Sequence, residues 1–169
     1  MTEFLDALAH VLRSEGGYVD HPADPGGATN RGVTQAVYTA WLADQGRSSS
    51  PVRDIAGPEV EAIYRDRYWN PSRADALPWP ASLWHFDAAV NSGVHRAACL
   101  LQEAVKVAQD GALGPITLAA VTAIDRDELL RRLRWGRLRF YARIVVGRPR
   151  SAAFLLGWLR RIEELEKVR

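Results

Sequence analysis

A chain of 169 residues that is 47% hydrophobic and carries a net charge of only +2 can fill a core of its own, which excludes a disordered segment. Its single cysteine, Cys99, excludes an internal disulfide; set between Ala98 and Leu100, it reads as a small core filler rather than a nucleophile. No stretch approaches the roughly twenty apolar residues of a membrane span. The opening Met-Thr-Glu-Phe has neither the basic nor the apolar part of a signal peptide, so synthesis in the cytoplasm is expected.

In chain order, Phe4, Leu8, Val11 and Glu15 follow one another at helical spacing, which predicts an amphipathic helix with a carboxylate on its buried stripe. Gly16 can close that helix in the left-handed conformation, leaving Glu15 in the last turn. Partial burial and the negative end of the helix dipole both disfavour a charged Glu there, as a general acid working near neutrality requires. The next residues complete the run EGGYVDHPADPGGATNRGVT, Glu15 to Thr34. Asp24-Pro25-Gly26-Gly27 is a turn in which Asp accepts backbone N–H bonds, Pro presets φ and Gly supplies positive φ. It can fold the chain back so that Asp24, Thr29 and Asn30 return towards Glu15, with Tyr18-Val19 and Gly32-Val33 as arms of an irregular hairpin. A proton donor facing a carboxylate and a hydroxyl suits hydrolysis of a glycosidic bond. An Asp that only caps its own turn is the alternative for Asp24.

Thr34 caps a second helix running to about Ala43, with Val37, Tyr38, Trp41 and Leu42 on one side. Gln45 to Pro51 is an exposed loop, and Pro58 opens a helix to about Tyr68. Tyr68 and Trp69 at its end can stack on a sugar ring or pack into core. Asp75 to Pro80, with two prolines, is the clearest connector and sets the expected boundary between lobes 1–76 and 77–169. A long helical region from Ala81 is interrupted at Asn91-Ser92-Gly93 and resumes to about Val107. Asn91 is a polar candidate for a cleft or a backbone cap. Gly111 and Gly114 make a tight loop before a helix Ile116 to Ile124. An arginine-rich helix spans Arg126 to Val146, in which Arg134 and Arg137 interrupt the apolar face that a membrane-surface helix needs. The last helix, Ala152 to Val168, is expected to pack Leu155, Leu156, Leu159 and Ile162 inward.

The run from Glu15 to Thr34 resembles the signature of glycoside hydrolase family 108, a group of phage-type lysozymes (N-acetylmuramidases). The resemblance extends to Phe86-Asp87-Ala88-Ala89-Val90-Asn91-Ser92-Gly93, Leu101-Gln102, the stretch Asp110 to Thr117, and Gly157-Trp158-Leu159, which look like the predicted peptidoglycan-binding half accompanying that family. It implies a mainly α, lysozyme-like helical fold with a small β-hairpin between the first two helices. Glu15 takes the catalytic Glu position. The spacing from Glu15 to Asp24 also looks like that of the family 24 phage lysozymes, with a Glu, Asp, Thr trio whose third member would be Thr29. Here four residues separate Asp24 from Thr29 where that relative has five, and Asp20-His21 stands where family 108 has Asn and another polar residue. Tyr18, Asn30, Tyr68, Trp69 and Asn91 are the expected substrate-binding residues.

The implied activity is that of an endolysin hydrolysing the β-1,4 bond between N-acetylmuramic acid and N-acetylglucosamine, with inversion by analogy to family 24. No cofactor is implied and no metal-ligating pattern is present: His85, Asp87 and His95 lack the i, i+4 geometry of a helical pair. Peptidoglycan is the expected partner, a holin-type route would release the chain to the periplasm or cell wall, and a monomer without stable membrane insertion is expected. A non-catalytic peptidoglycan-binding or secretion-assisting protein is the alternative. Residues 1–125 carry nine basic and fifteen acidic side chains, net −6, and residues 126–169 thirteen and five, net +8. That basic quarter is the sole argument for nucleic acid, which is not expected as a partner.

Overall fold

Phe4, Ala7, Leu8 and Val11 are all buried, so the first apolar stripe closes into α1, Thr2–Ser14. The computed structural model describes residues 2–20 and 27–168. It forms two compact units, Met1–Arg67 and Tyr68–Arg169.

In the first unit α1 stops one residue before Glu15, and Gly16 does not take the left-handed conformation expected of it: among the described glycines positive φ begins at Gly27. The chain instead leaves α1 along a path that brings Val19 into an antiparallel bridge with Thr29, each N–H donating to the other's carbonyl at 2.8 Å. Thr29 in turn opens a hairpin of β1, Thr29–Asn30, and β2, Val33–Thr34, in which Thr29 faces Thr34 and Asn30 faces Val33. Arg31 and Gly32 connect them with φ of 51° and 75°. Positive φ at both central residues is the type I′ pattern, whose twist matches that of paired strands. The hairpin with Val19 and Val33 as opposing arms is thereby corrected. The two-residue turn pairs Val33 with Asn30, leaving Thr29 to Val19.

Thr34 caps α2, Gln35–Asp44, its hydroxyl accepting from Val37 N–H at 3.3 Å, and Tyr38 and Leu42 face the core. α3, Gly57–Tyr64, buries Val60, Ile63 and Tyr64, and a π-helical stretch, Arg65–Trp69, follows it. Three polar side chains pin the irregular segments between these elements. Gln35 donates to Ser50 O at 2.9 Å and accepts from Val52 N–H at 2.7 Å. Asn30 donates to Val52 O and Arg53 O at 3.2 and 3.1 Å. Glu59 accepts from Ala56 N–H, Tyr38 Oη–H and Arg47 at 2.9, 2.8 and 2.7 Å, and the Ala56 bond chiefly holds its carboxyl below the usual carboxylate range.

The second unit is built from the single turn α4, Asn70–Ser72, and the helices α5, Ala81–Ser92, α6, Val94–Val105, α7, Pro115–Ala123, α8, Arg126–Gly147, and α9, Leu155–Glu166. Gly93, at φ 87°, makes the break between α5 and α6. Every residue of α5 from Ala81 to Ala89 is buried. Two of them are ionisable. His85 Nε2–H donates to Ser72 O at 3.0 Å, and burial pushes its pKa down to about 4. Asp87 receives Arg137 from α8 at 3.0 Å and Arg161 from α9 at 2.9 Å. Arg137 also donates to Tyr141 Oη at 2.5 Å, and Tyr141 donates to Asn91 Oδ1 at 2.8 Å.

Gln102 is buried on α6 and holds the loop before α7. Its amide donates to Asp110 at 2.6 Å and to Ala112 O at 3.0 Å, while its carbonyl accepts from Gly111 N–H at 2.9 Å. The expected inward face of the last helix is wrong for two leucines. Leu156 is 68% exposed and Leu159 37%, whereas Arg161, Ile162 and Leu165 are buried. A 3-10 segment, Pro149–Phe154, delays the start of α9 to Leu155. The inward stripe then follows the i, i+3, i+4, i+7 positions Trp158, Arg161, Ile162 and Leu165.

Candidate active site

Glu15 is half-buried just past the end of α1. What lies over it is the turn of the hairpin. A Cβ built on Gly32 would stand 3.0 Å from Glu15 Oε2 and 3.1 Å from its Cγ, and would overlap the Tyr64 hydroxyl. Only a residue without a side chain lets the Glu15 carboxyl and the Tyr64 hydroxyl approach this backbone, and positive φ favours glycine there as well. Tyr64, buried on α3, donates its hydroxyl to Arg31 O at 2.9 Å and so fixes the turn from the other side. The two ends of the motif, seventeen residues apart in sequence, thus meet at Glu15 and Gly32.

Thr29 lies three residues before Gly32 on β1, half-buried, with its hydroxyl donating to Gly27 O at 3.3 Å. Its oxygen keeps lone pairs with which to accept from a water. Asp24 lies outside the described residues. Tyr18 is 40% exposed; its hydroxyl donates to Asp20 Oδ2 and accepts from Arg53, both at 3.2 Å, and the Arg53 guanidinium sits 5.0 Å from the ring centroid. Asn30 spends both amide hydrogens on the carbonyls of Val52 and Arg53, so its donors hold the hairpin in place. Sequence reasoning missed Tyr64, Gly32 and Arg53. Tyr64 is the one with a visible signal, an aromatic with a polar tip on the buried face of α3.

The remaining expected binding residues belong to the second unit. Trp69 is 4% exposed and meets Phe86 edge-on at 5.2 Å between centroids, a core position. Tyr68 is half-buried. Asn91 is half-buried and accepts from Tyr141, at the outer end of the chain of donors that starts on Arg137. Among the described residues no group of three or more His, Cys, Asp or Glu side chains is placed to hold a metal ion.

The family model for glycosyl hydrolase 108 matches residues 8–93. The chain belongs to glycoside hydrolase family 108. Its match takes in Glu15, the hairpin and α5 up to the break at Gly93. A second model, described as a predicted peptidoglycan domain, matches residues 96–163 and so covers the Gln102 loop and α8. Among solved structures, this family 108 chain is similar to SagA of Brucella abortus, with 39% identity, 97% of this chain and 91% of that chain covered, and a TM-score of 0.79. No curated protein matches it. The fold is therefore mainly α and lysozyme-like, and the chain is by family a glycoside hydrolase directed at peptidoglycan.

Proposed function

We propose that this chain is an N-acetylmuramidase of the endolysin type, cutting the β-1,4 bond between N-acetylmuramic acid and N-acetylglucosamine with Glu15 as general acid. The observation that carries the reading is the Glu15 carboxyl held against the Gly32 backbone, half-withdrawn from water at the end of α1. A carboxylic acid so placed can protonate the leaving O4 oxygen while the C1–O4 bond breaks and positive charge builds on the muramic-acid ring. Water adds to C1 and releases a proton to solvent, from which Glu15 is reprotonated. Thr29 and Asp24 act in this reading on the water or on the developing charge, as the family 24 trio does. Tyr18, on the exposed rim with Arg53 against it, offers a ring face and a cation to a sugar bearing a lactyl carboxylate.

The place of action is the periplasm or cell wall, and release through a holin-type pore is the matching lysis route. Mass spectrometry of the fragments released from purified peptidoglycan tests the bond. Muropeptides with a muramic-acid reducing end are expected. Fragments with a glucosaminyl reducing end, or free stem peptides, would mean that another bond is cut.

A further inference from the structure

The second unit carries a surface that holds none of the residues assigned to hydrolysis. From Leu129 to Ile162 the chain has no acidic residue. Arg131, Arg132, Arg134 and Arg139 find acids outside that span, at Glu128, Glu166 and Glu103, and Arg137 and Arg161 are spent on Asp87. Arg143, Arg148 and Arg150 are exposed, and none of them has an ion-pair partner among the described residues. These three lie at the corner where α8 passes into α9. The same corner exposes Val146 at 83%, Phe154 at 63% and Leu156 at 68%. Backbone bonds order it: Arg148 N–H donates to Ile144 O and Ser151 N–H to Arg148 O, both at 2.8 Å.

Beside it lies an open groove of about 430 Å³ lined by Arg96, Phe140, Arg143, Ile144, Gly147 and Arg148. Arg96 sits over the Phe140 ring at 5.3 Å. Guanidinium groups around an apolar floor suit a phosphate joined to hydrocarbon.

We propose that the α8–α9 corner docks on the surface of an anionic phospholipid bilayer, with the arginines on headgroup phosphates and Val146, Phe154 and Leu156 entering the interface. Unpaired cations beside solvent-exposed apolar side chains are what an interfacial site combines. The corner meets the bilayer end-on, so the arginines that interrupt α8 do not oppose binding. Arg137 is buried within the unit, and Arg134 lies against Glu166. A second copy is a poor occupant, because pairing this corner with itself would bring six unpaired guanidiniums together. Duplex DNA would use the arginines but leave the apolar side chains without a partner. No helix among the described residues is long and apolar enough to cross a membrane, so the association is peripheral.

Co-sedimentation with vesicles of phosphatidylglycerol mixed with phosphatidylcholine, and of phosphatidylcholine alone, tests this with the full chain. Binding is expected only to the mixed vesicles. Each arginine is expected to contribute about fivefold, so the Arg143→Gln/Arg148→Gln/Arg150→Gln variant should lose on the order of a hundredfold in partition. Val146→Ser/Leu156→Ser keeps the charge and replaces exposed side chains; it should lose about tenfold, with unchanged near-ultraviolet circular dichroism. Glu15→Gln should bind vesicles as the wild type does, so a failure of the hydrolase reading would not touch this result. Absence of binding at low salt overturns the proposal. So does binding insensitive to Val146→Ser/Leu156→Ser, DNA affinity matching that for vesicles, or a dimer dissolved by the same substitutions.

Discussion

Apart from Gln102 and His85, which also reach backbone groups, the second unit buries polarity differently from the first. In the first, Gln35, Asn30 and Glu59 direct their side chains largely at backbone groups of irregular segments. In the second, a carboxylate and two guanidiniums lie inside the helices and answer one another. The difference follows from what each must hold. The site rests on a two-residue turn and short strands that cannot bury enough apolar surface to fix themselves, so side-chain amides and a carboxylate pin their carbonyls and N–H groups. The helices already satisfy their own backbones, and the buried ions instead join α5, α8 and α9 through one shared carboxylate.

Four substitutions or titrations would break or sharpen that contrast. Asp87→Ala leaves two buried guanidiniums without their carboxylate, and unfolding in urea should show a loss of about 3–5 kcal/mol. A loss under about 1 kcal/mol would mean that water already shares those charges.

His85 provides the next largest effect. Its folded pKa of about 4 lies below the ordinary 6.5 because burial opposes the charge. Above pH 6.5 it is neutral in both states. As pH falls from 6.5 to 4 the unfolded chain takes up a proton that the folded one refuses, so stability declines across that window by ~3 kcal/mol. Denaturant titrations at several pH values should show the slope, and His85→Gln should flatten it.

Gly32→Ala sets a methyl against Tyr64 and Glu15 at positive φ, for about 2 kcal/mol of stability. Since the methyl displaces the Tyr64 hydroxyl and presses on the Glu15 carboxyl, turnover on peptidoglycan should fall by far more than the folded fraction. Equal losses in both would deny the turn its positioning part. The smallest effect is at Glu59. Its carboxyl is held below its ordinary pKa first by the Ala56 N–H and then by Tyr38 and Arg47, so its contribution is present above the unfolded carboxylate pKa and fades as pH falls through the folded one. Glu59→Gln should cost about 1 kcal/mol near neutrality, and the gap from wild type should narrow in acid.

Much of the helical scaffold could be read from periodicity and punctuation. Thr34 as a cap, Gly93 as a break and the α1 stripe are local signals, and each is where it was expected. The hairpin itself is legible, but its register is not, because it depends on Arg31 taking a positive φ that an arginine does not advertise. Arg137 was hidden in a run of arginines, although it continues the stripe of Leu133 and Tyr141 at spacings of four, the same sign that singled out Glu15. Leu156 and Leu159 fall outside the inward stripe because the buried face of α9 centres on Arg161, Ile162 and Leu165, and hydrophobic periodicity does not mark an arginine as buried. Of the site, Glu15 was legible through its motif. The closure of the Arg31–Gly32 turn over it was not, because it is a contact between two ends of a motif with Tyr64 from a third element.

The most direct measurement is solubilisation of purified peptidoglycan by wild type and Glu15→Gln at equal folded concentration, checked by circular dichroism and thermal unfolding. The account predicts an intact fold with solubilisation reduced at least about a thousandfold, the general acid being absent. A folded Glu15→Gln protein that solubilises peptidoglycan at the wild-type rate would remove Glu15 from the chemistry.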